Sequence, residues 1–199
     1  MDMESYYKRL FETHGDTPQA VQYSDQITQE RRFKVLTEIA DLNDMHILDF
    51  GCGTGHLATF LKAQDTRCSY TGVDLVQEML DCGKKKHPEH QFLKPEELSK
   101  GQQFDYAFIS GVFNLKTEDN RSFYQRIIKD CFNRIRKGLA FNMMSSYVDY
   151  FDPQLFYEKP ETVFQFIKEK ISPFVVLRNE YQVKKNVIPF EFTIYVYKK

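Results

Sequence analysis

Residues 45–55 read Met-His-Ile-Leu-Asp-Phe-Gly-Cys-Gly-Thr-Gly. A short apolar run that ends in glycine is the pattern of a buried parallel strand. Glycines at 51 and 53 permit a tight strand-to-helix turn in which no Cβ keeps a ligand away from the backbone. A dinucleotide fingerprint needs its last glycine at position 56, where this chain has His56. The spacing is G-x-G-x-G instead, which disfavours a nicotinamide-dependent oxidoreductase.

Outward from the turn, Gly55–Ala63 offers a helix through Leu57, Ala58 and Leu61, and Ser69–Leu75 a second strand. Strand, helix and strand within about 30 residues make a βαβ unit. Asp74, near the end of the second strand, lies 19 residues beyond Gly55. A carboxylate there can accept both hydroxyls of a ribose, and it can equally cap a helix starting near Val76.

The alternation continues with a helix over Val76–Lys86, strands at Gln91–Leu93 and Phe104–Ser110, and a long helix from Glu118 to Lys137 with Gly138 as its stop. Leu139–Ser145 is a fifth strand. Pro160–Ile171 reads as a helix, and Phe174–Tyr181 and Glu191–Tyr197 as an antiparallel pair at the sheet edge; the aromatic Glu191–Tyr197 edge strand can pair with another copy, or Lys198 and Lys199 at its end can protect a lone edge. Upstream, Ser24 or Thr28 caps a helix to Leu42, preceded by an irregular, partly helical lead-in. The expected fold is α/β: a Rossmann-like doubly wound seven-stranded sheet, mostly parallel, with a C-terminal antiparallel strand pair.

The chain has 199 residues, 42% of them hydrophobic and 28% charged, which is globular rather than disordered composition. Its 27 basic and 28 acidic side chains give a net charge of −1, so nucleic acid is a disfavoured partner. The start lacks the pattern of a signal peptide and no run is long and apolar enough to span a membrane, so a cytoplasmic protein without a membrane partner is expected. The four cysteines lack metal-ligand spacing, and no metal is expected.

The runs ILDFGCGTG, TGVDLVQEML and FDYAFISGVFN together resemble class I S-adenosylmethionine-dependent methyltransferases of small-molecule type. The resemblance covers residues 47 to about 146, and the final helix and strand pair fit the end of that fold. It implies S-adenosylmethionine as cofactor and S-adenosylhomocysteine as product. By this likeness Asp49 lies near the amino-acid moiety of the cofactor, Gly51, Cys52 and Gly53 pass under its methionine portion, and Asp74 holds the ribose. Leu75 and Met79 then line the adenine pocket, and Ser110 belongs to the cofactor-binding set. Lys94 stands where similar enzymes often carry an adenine-accepting carboxylate; an ammonium only donates, and Glu96 is a substitute two positions on.

The segment Ser110-Gly-Val-Phe-Asn114 is not an Asn/Asp-Pro-Pro-aromatic motif, which leaves small-molecule acceptors as the favoured class. Asn114, Tyr147, Tyr23 and Arg32 are the acceptor-facing candidates, and no catalytic base is identified. Phe50, Phe113 and Tyr147 are the aromatics placed at strand ends. His14, Tyr6, Tyr7 and Gln29 reach the site if the lead-in folds over the cleft. The expected organisation is one methyltransferase domain over 1–199: a lead-in or lid at 1–30, a cofactor-binding core at 31–146, and an aromatic insert, helix and edge hairpin at 147–199. The expected activity is methyl transfer to oxygen or nitrogen of a small molecule. A catalytically silent cofactor-binding partner subunit and a protein methyltransferase are the alternatives, and the oligomeric state is open.

Overall fold

A computed structural model describes residues 2–199. Seven strands are placed by the chain: β1 (His46–Phe50), β2 (Ser69–Val73), β3 (Gln91–Leu93), β4 (Phe104–Ile109), β5 (Ile135–Met144), β6 (Val175–Arg178) and β7 (Glu191–Tyr197). They form one sheet in the order β3-β2-β1-β4-β5-β7-β6. The first five run parallel, and β7 pairs antiparallel with both β5 and β6. The strand order reverses direction between β1 and β4, and the crevice at such a switch point is where open α/β sheets bind ligands.

The side-chain period of two sorts the strands into two cores. Leu48, Ala107, Leu139 and Phe141 face α5 (Asn120–Asn133) and α6 (Pro160–Lys170). On the other face Ile47, Tyr70, Phe108 and Tyr195 meet α2 (Gln26–Thr37), α3 (His56–Ala63) and α4 (Gln77–Lys86) through Leu36, Leu57, Leu61 and Leu80. Burying each such side chain contributes roughly 1.5–3 kcal/mol, so these layers hold the frame.

The lead-in is more ordered than its mixed sequence suggests. Asp2 caps α1 (Met3–His14) by accepting from Ser5 N at 3.0 Å, and Gly15 ends it at φ +61°. A short 3-10 turn, Pro18–Val21, follows. No residue of α1 is fully buried, so this helix rests on the body rather than forming part of its core.

Four expectations need correction. The cap of α2 is Asp25, whose carboxylate accepts from Thr28 N at 2.7 Å, rather than Ser24 or Thr28. The helix expected to reach Lys137 ends at Asn133, and Gly138 lies inside β5, where a Cβ would stand 3.0 Å from both Ile39 and Tyr106. Strand β6 is confined to Val175–Arg178. Finally, β7 is interior and β6 is the edge, because β7 inserts between β5 and β6. Lys198 therefore protects no edge; its ammonium donates to the carbonyls of Phe132 and Ile135 and pins the strand's end.

Candidate functional site

The turn after β1 is strapped to the end of β2. Gly51 N and Cys52 N both donate to Val73 O, at 2.7 and 3.0 Å. Asp74 completes the strap: one carboxylate oxygen accepts from Gly53 N at 2.8 Å and the other from Val76 N at 3.0 Å. Gly51 has φ +80°, and a Cβ on it would stand 2.2 Å from Val112 Cγ2. Only glycine fits there, for conformation and for space.

This turn borders a cavity of about 680 Å³, within the usual range for a ligand site. Asp49, Gly51, Cys52 and Asp74 line its floor, Leu75 and Met79 one wall, and Ser110 and Phe50 stand across the switch point. Leu98, Phe123 and Ile127 extend it along α5, and Met3, Tyr7 and Val21 of the lead-in roof it. Gly53, singled out by the sequence for the methionine portion of a cofactor, does not line it: its N–H is given to Asp74, and Val21 covers the place of its missing Cβ at 3.2 Å.

Two buried carboxyls give the cavity its electrostatics. Burial raises the Asp49 carboxyl to about 7, despite the hydroxyl of Tyr70 donating to it at 2.5 Å. Burial likewise raises Asp74, and its backbone donors oppose the rise. Lys94 is not in the lining; its ammonium reaches Glu4 of α1 at 2.7 Å. Glu96 is exposed and also absent from the lining.

A second cavity of about 450 Å³ adjoins the first, and Tyr23, Val21 and Gly111 line both. Tyr23 is buried with its hydroxyl 3.0 Å from Ser110 Oγ, and the Arg32 guanidinium lies 4.7 Å over its ring. Asn114, Arg32, His14, Leu155 and Phe190 complete most of the enclosure. Three of the four acceptor-facing candidates are thus brought together. Tyr147 is not: it is 58% exposed, bonds Glu161 at 2.6 Å and lines neither cavity. Phe113 is core, while Gln29 joins the first cavity and Tyr6 bonds Gln22.

Sequence reasoning missed the polar network behind this second cavity. Glu191, fully buried, accepts from Arg32 Nε at 2.8 and 3.0 Å, from Arg32 Nη2, and from Asn142 Nδ2 at 3.0 Å. The Asn142 carbonyl oxygen accepts in turn from Gly111 N at 3.0 Å. Burial disfavours the Arg32 charge, and Glu191 more than restores it. The available signal was a pair of interruptions: Asn142 inside an apolar strand, and Glu191 opening another.

The comparisons with known proteins agree with this geometry. The methyltransferase domain family matches residues 48–132. Rv1506c of Mycobacterium tuberculosis, named as a methyltransferase, is 28% identical over 161 residues, covering 76% of this chain and 92% of that protein. The malonyl-[acyl-carrier protein] O-methyltransferase of Priestia megaterium is 28% identical over 113 residues, which is 53% of this chain and 40% of that protein. In fold, the chain is similar to magnesium protoporphyrin IX methyltransferase from Synechocystis PCC 6803 with bound S-adenosylmethionine, at a TM-score of 0.70 and 12% identity over 100% of this chain and 98% of that one. Among the described residues no helix is long and apolar enough to cross a membrane, and no group of three or more His, Cys, Asp or Glu is placed to hold a metal. With the glycine turn strapped to β2 and the cavity at the β1/β4 switch point, the family match, the relatives and the shared fold together support a class I S-adenosylmethionine-dependent methyltransferase.

Proposed function

We propose that the enzyme moves the methyl group to an oxygen or nitrogen of a small molecule held in the second cavity. The observation that carries this reading is the junction of the two cavities at Val21, Tyr23 and Gly111. The residues of the first cavity fit the cofactor by chemistry. Asp49 offers a carboxylate to a cationic amino group, Gly51 leaves open the space a Cβ would fill, and Asp74 keeps lone pairs beyond its two backbone donors for ribose hydroxyls. When bound, the cofactor supplies a methyl group activated on a sulfonium sulfur.

Methyl transfer from sulfur is an in-line displacement, so the chain's work is alignment and exclusion of water. Tyr23, fixed between Ser110 and Arg32, forms the wall at which an acceptor meets the cofactor side. Asn114 has its main chain tied on both sides, donating to Gly111 O at 3.3 Å and accepting from Phe156 N at 2.8 Å, which supports a role in orienting the acceptor. His14 is the imidazole in the lining and the candidate to take a proton from a hydroxyl acceptor. The lead-in roofs one cavity and walls the other, which supports residues 1–30 as a lid within one catalytic unit. A chamber of about 450 Å³ favours a small molecule over a protein chain, and an intact cofactor cradle speaks against a silent partner subunit.

Calorimetric titration with S-adenosylmethionine and S-adenosylhomocysteine tests the cofactor half. Asp74→Ala is expected to weaken both by roughly tenfold or more, because it removes a charged acceptor and orphans two backbone N–H groups. Unchanged affinity in Asp74→Ala would sink this assignment.

A further inference from the structure

The second cavity has one formal charge without a partner, and that charge is positive. Its single carboxylate, Glu191, is saturated by Arg32 and Asn142. Arg32 is neutralised by that pairing, yet only three of its five N–H groups are used, two on Glu191 and one on Thr28 O. Lys184, exposed at the rim, forms no ion pair among the described residues; Asp25 is the carboxylate whose ionisation it favours from a distance. Gln22 Oε1 accepts from the Tyr7 hydroxyl, Ser24 Oγ donates to the Asp25 carboxylate and the Ser24 carbonyl accepts from Gln19, which leaves Asn114 Oδ1 as the buried side-chain acceptor of the lining without a protein partner among the described residues, open to a donor on the bound molecule.

The remaining wall is apolar, through Val21, Met144, Leu155 and Phe190. The same loop that brings Lys184 and Phe190 to the cavity turns Val187 and Ile188 outward, 39% and 47% exposed. A molecule without an acceptor group would leave the spare N–H groups of Arg32 desolvated, which costs about 1–3 kcal/mol for each buried group, and an anionic acceptor would also meet the unpartnered ammonium of Lys184.

We propose that the acceptor is an anionic amphiphile: a compound with an apolar, aromatic or aliphatic body and a carboxylate, sulfonate or phosphate group met by Lys184 and the free edge of Arg32. This rests on the second cavity being the acceptor site, as above. The anionic group sits at the Lys184 rim and the apolar body lies between Leu155 and Phe190. Lys184 is then a specificity residue that selects charge, with no part in the displacement itself.

The test uses the whole chain saturated with S-adenosylhomocysteine, so that the first cavity is filled, and two fluorescent probes of like shape. One is the anion 1-anilinonaphthalene-8-sulfonate; the other is neutral N-phenyl-1-naphthylamine. The anion is expected to bind at one site roughly tenfold more tightly than the neutral probe. Lys184→Ala should weaken the anion about three- to tenfold and leave the neutral probe unchanged, with Lys184→Arg restoring affinity. Leu155→Trp, which fills the cavity, should abolish both without moving affinity for S-adenosylhomocysteine. Lys184 is exposed, so its variants report even where Leu155→Trp fails to fold. Equal affinity for the two probes, indifference to Lys184→Ala, or anion binding that survives in a folded Leu155→Trp would each overturn the inference. Failure of S-adenosylhomocysteine to bind the wild type would instead overturn the reading on which it rests.

Discussion

The two cavities differ in how far the chain travels to build them. On the cofactor side the deciding contacts are local: Asp49 meets Tyr70 and Gly53 meets Asp74 across 21 residues, and Asp74 meets Val76 across two. Around the second cavity Tyr23 meets Ser110 across 87 residues, Asn142 meets Glu191 across 49, and Arg32 meets Glu191 across 159. The floor of one cavity is made of backbone and a single βαβ unit; the other cavity is assembled from four distant segments. A local, backbone-built site tolerates change elsewhere, whereas the second depends on every segment that feeds it.

The largest effect is expected where that long-range assembly is cut. Glu191→Leu leaves the Arg32 guanidinium buried without its partner, a loss of about 3–5 kcal/mol. For a chain of this size that lowers Tm by on the order of 10 °C. The double variant Arg32→Met with Glu191→Leu should recover most of the stability, because an apolar pair replaces a desolvated ionic one. In both, affinity for S-adenosylhomocysteine should stay within about twofold of wild type. Thermal melts and calorimetry read the two quantities separately. A parallel collapse of cofactor affinity in the folded double variant would show that the cavities are one cooperative unit and break the comparison.

The second effect belongs to the cofactor side. Burial raises Asp49 to about 7 from an ordinary value of 3.8, so the fold disfavours its charge. The sign follows: its contribution to stability is fully present below pH 3.8 and is lost as pH rises through about 7. Between pH 5 and pH 8 the cofactor-free wild type should lose about 2 kcal/mol that Asp49→Asn keeps. Cofactor affinity should run the other way: a cationic amino group favours the ionised carboxylate, so wild-type affinity rises through pH 7 while that of Asp49→Asn stays flat and low. Melts and titrations from pH 5 to 8.5 measure both. A wild type and variant with parallel profiles would remove Asp49 from the cofactor's charged end.

This contrast explains what the sequence disclosed. Periodicity, the glycine spacing and Asp74 are short-range signals, so the sheet, its switch point and most of the first cavity's floor were legible. The exception is Gly53, whose N–H turns to Asp74; spacing alone does not tell a lining glycine from a strapping one. Strand order past β5 was not legible, since whether β7 or β6 takes the edge depends on pairing across the whole sheet. Arg32, Tyr23 and Asn114 were singled out by type and position, but the partners that fix them, Glu191 and Asn142, were not. Tyr147 lies outside both cavities for the opposite reason: aromatic content placed it near the site, and it is exposed and bonded to Glu161.

The smallest effect concerns the roof both cavities share. Helix α1 is held to the body by three partly exposed ion pairs, Lys8 with Glu78, Lys94 with Glu4 at 2.7 Å, and Lys86 with Asp16 of the following loop at 2.9 Å. Its apolar support is a small cluster of Val76 and Met79 with Tyr7 and Phe11. Lys94, out of place as an adenine acceptor, thus has work as a latch. Salt screens exposed pairs and leaves buried ones nearly untouched. Raising salt from 0.05 to 0.5 M should therefore speed release of S-adenosylhomocysteine by roughly two- to fivefold, while the Tm contribution of the buried Arg32–Glu191 pair stays fixed. Lys8→Ala with Lys94→Ala should release quickly at both salts, with the dependence on salt reduced. Stopped-flow dissociation decides: equal rates at both salts in the wild type would mean that α1 does not gate the cofactor, and that the roof belongs to the rigid, local half of the molecule.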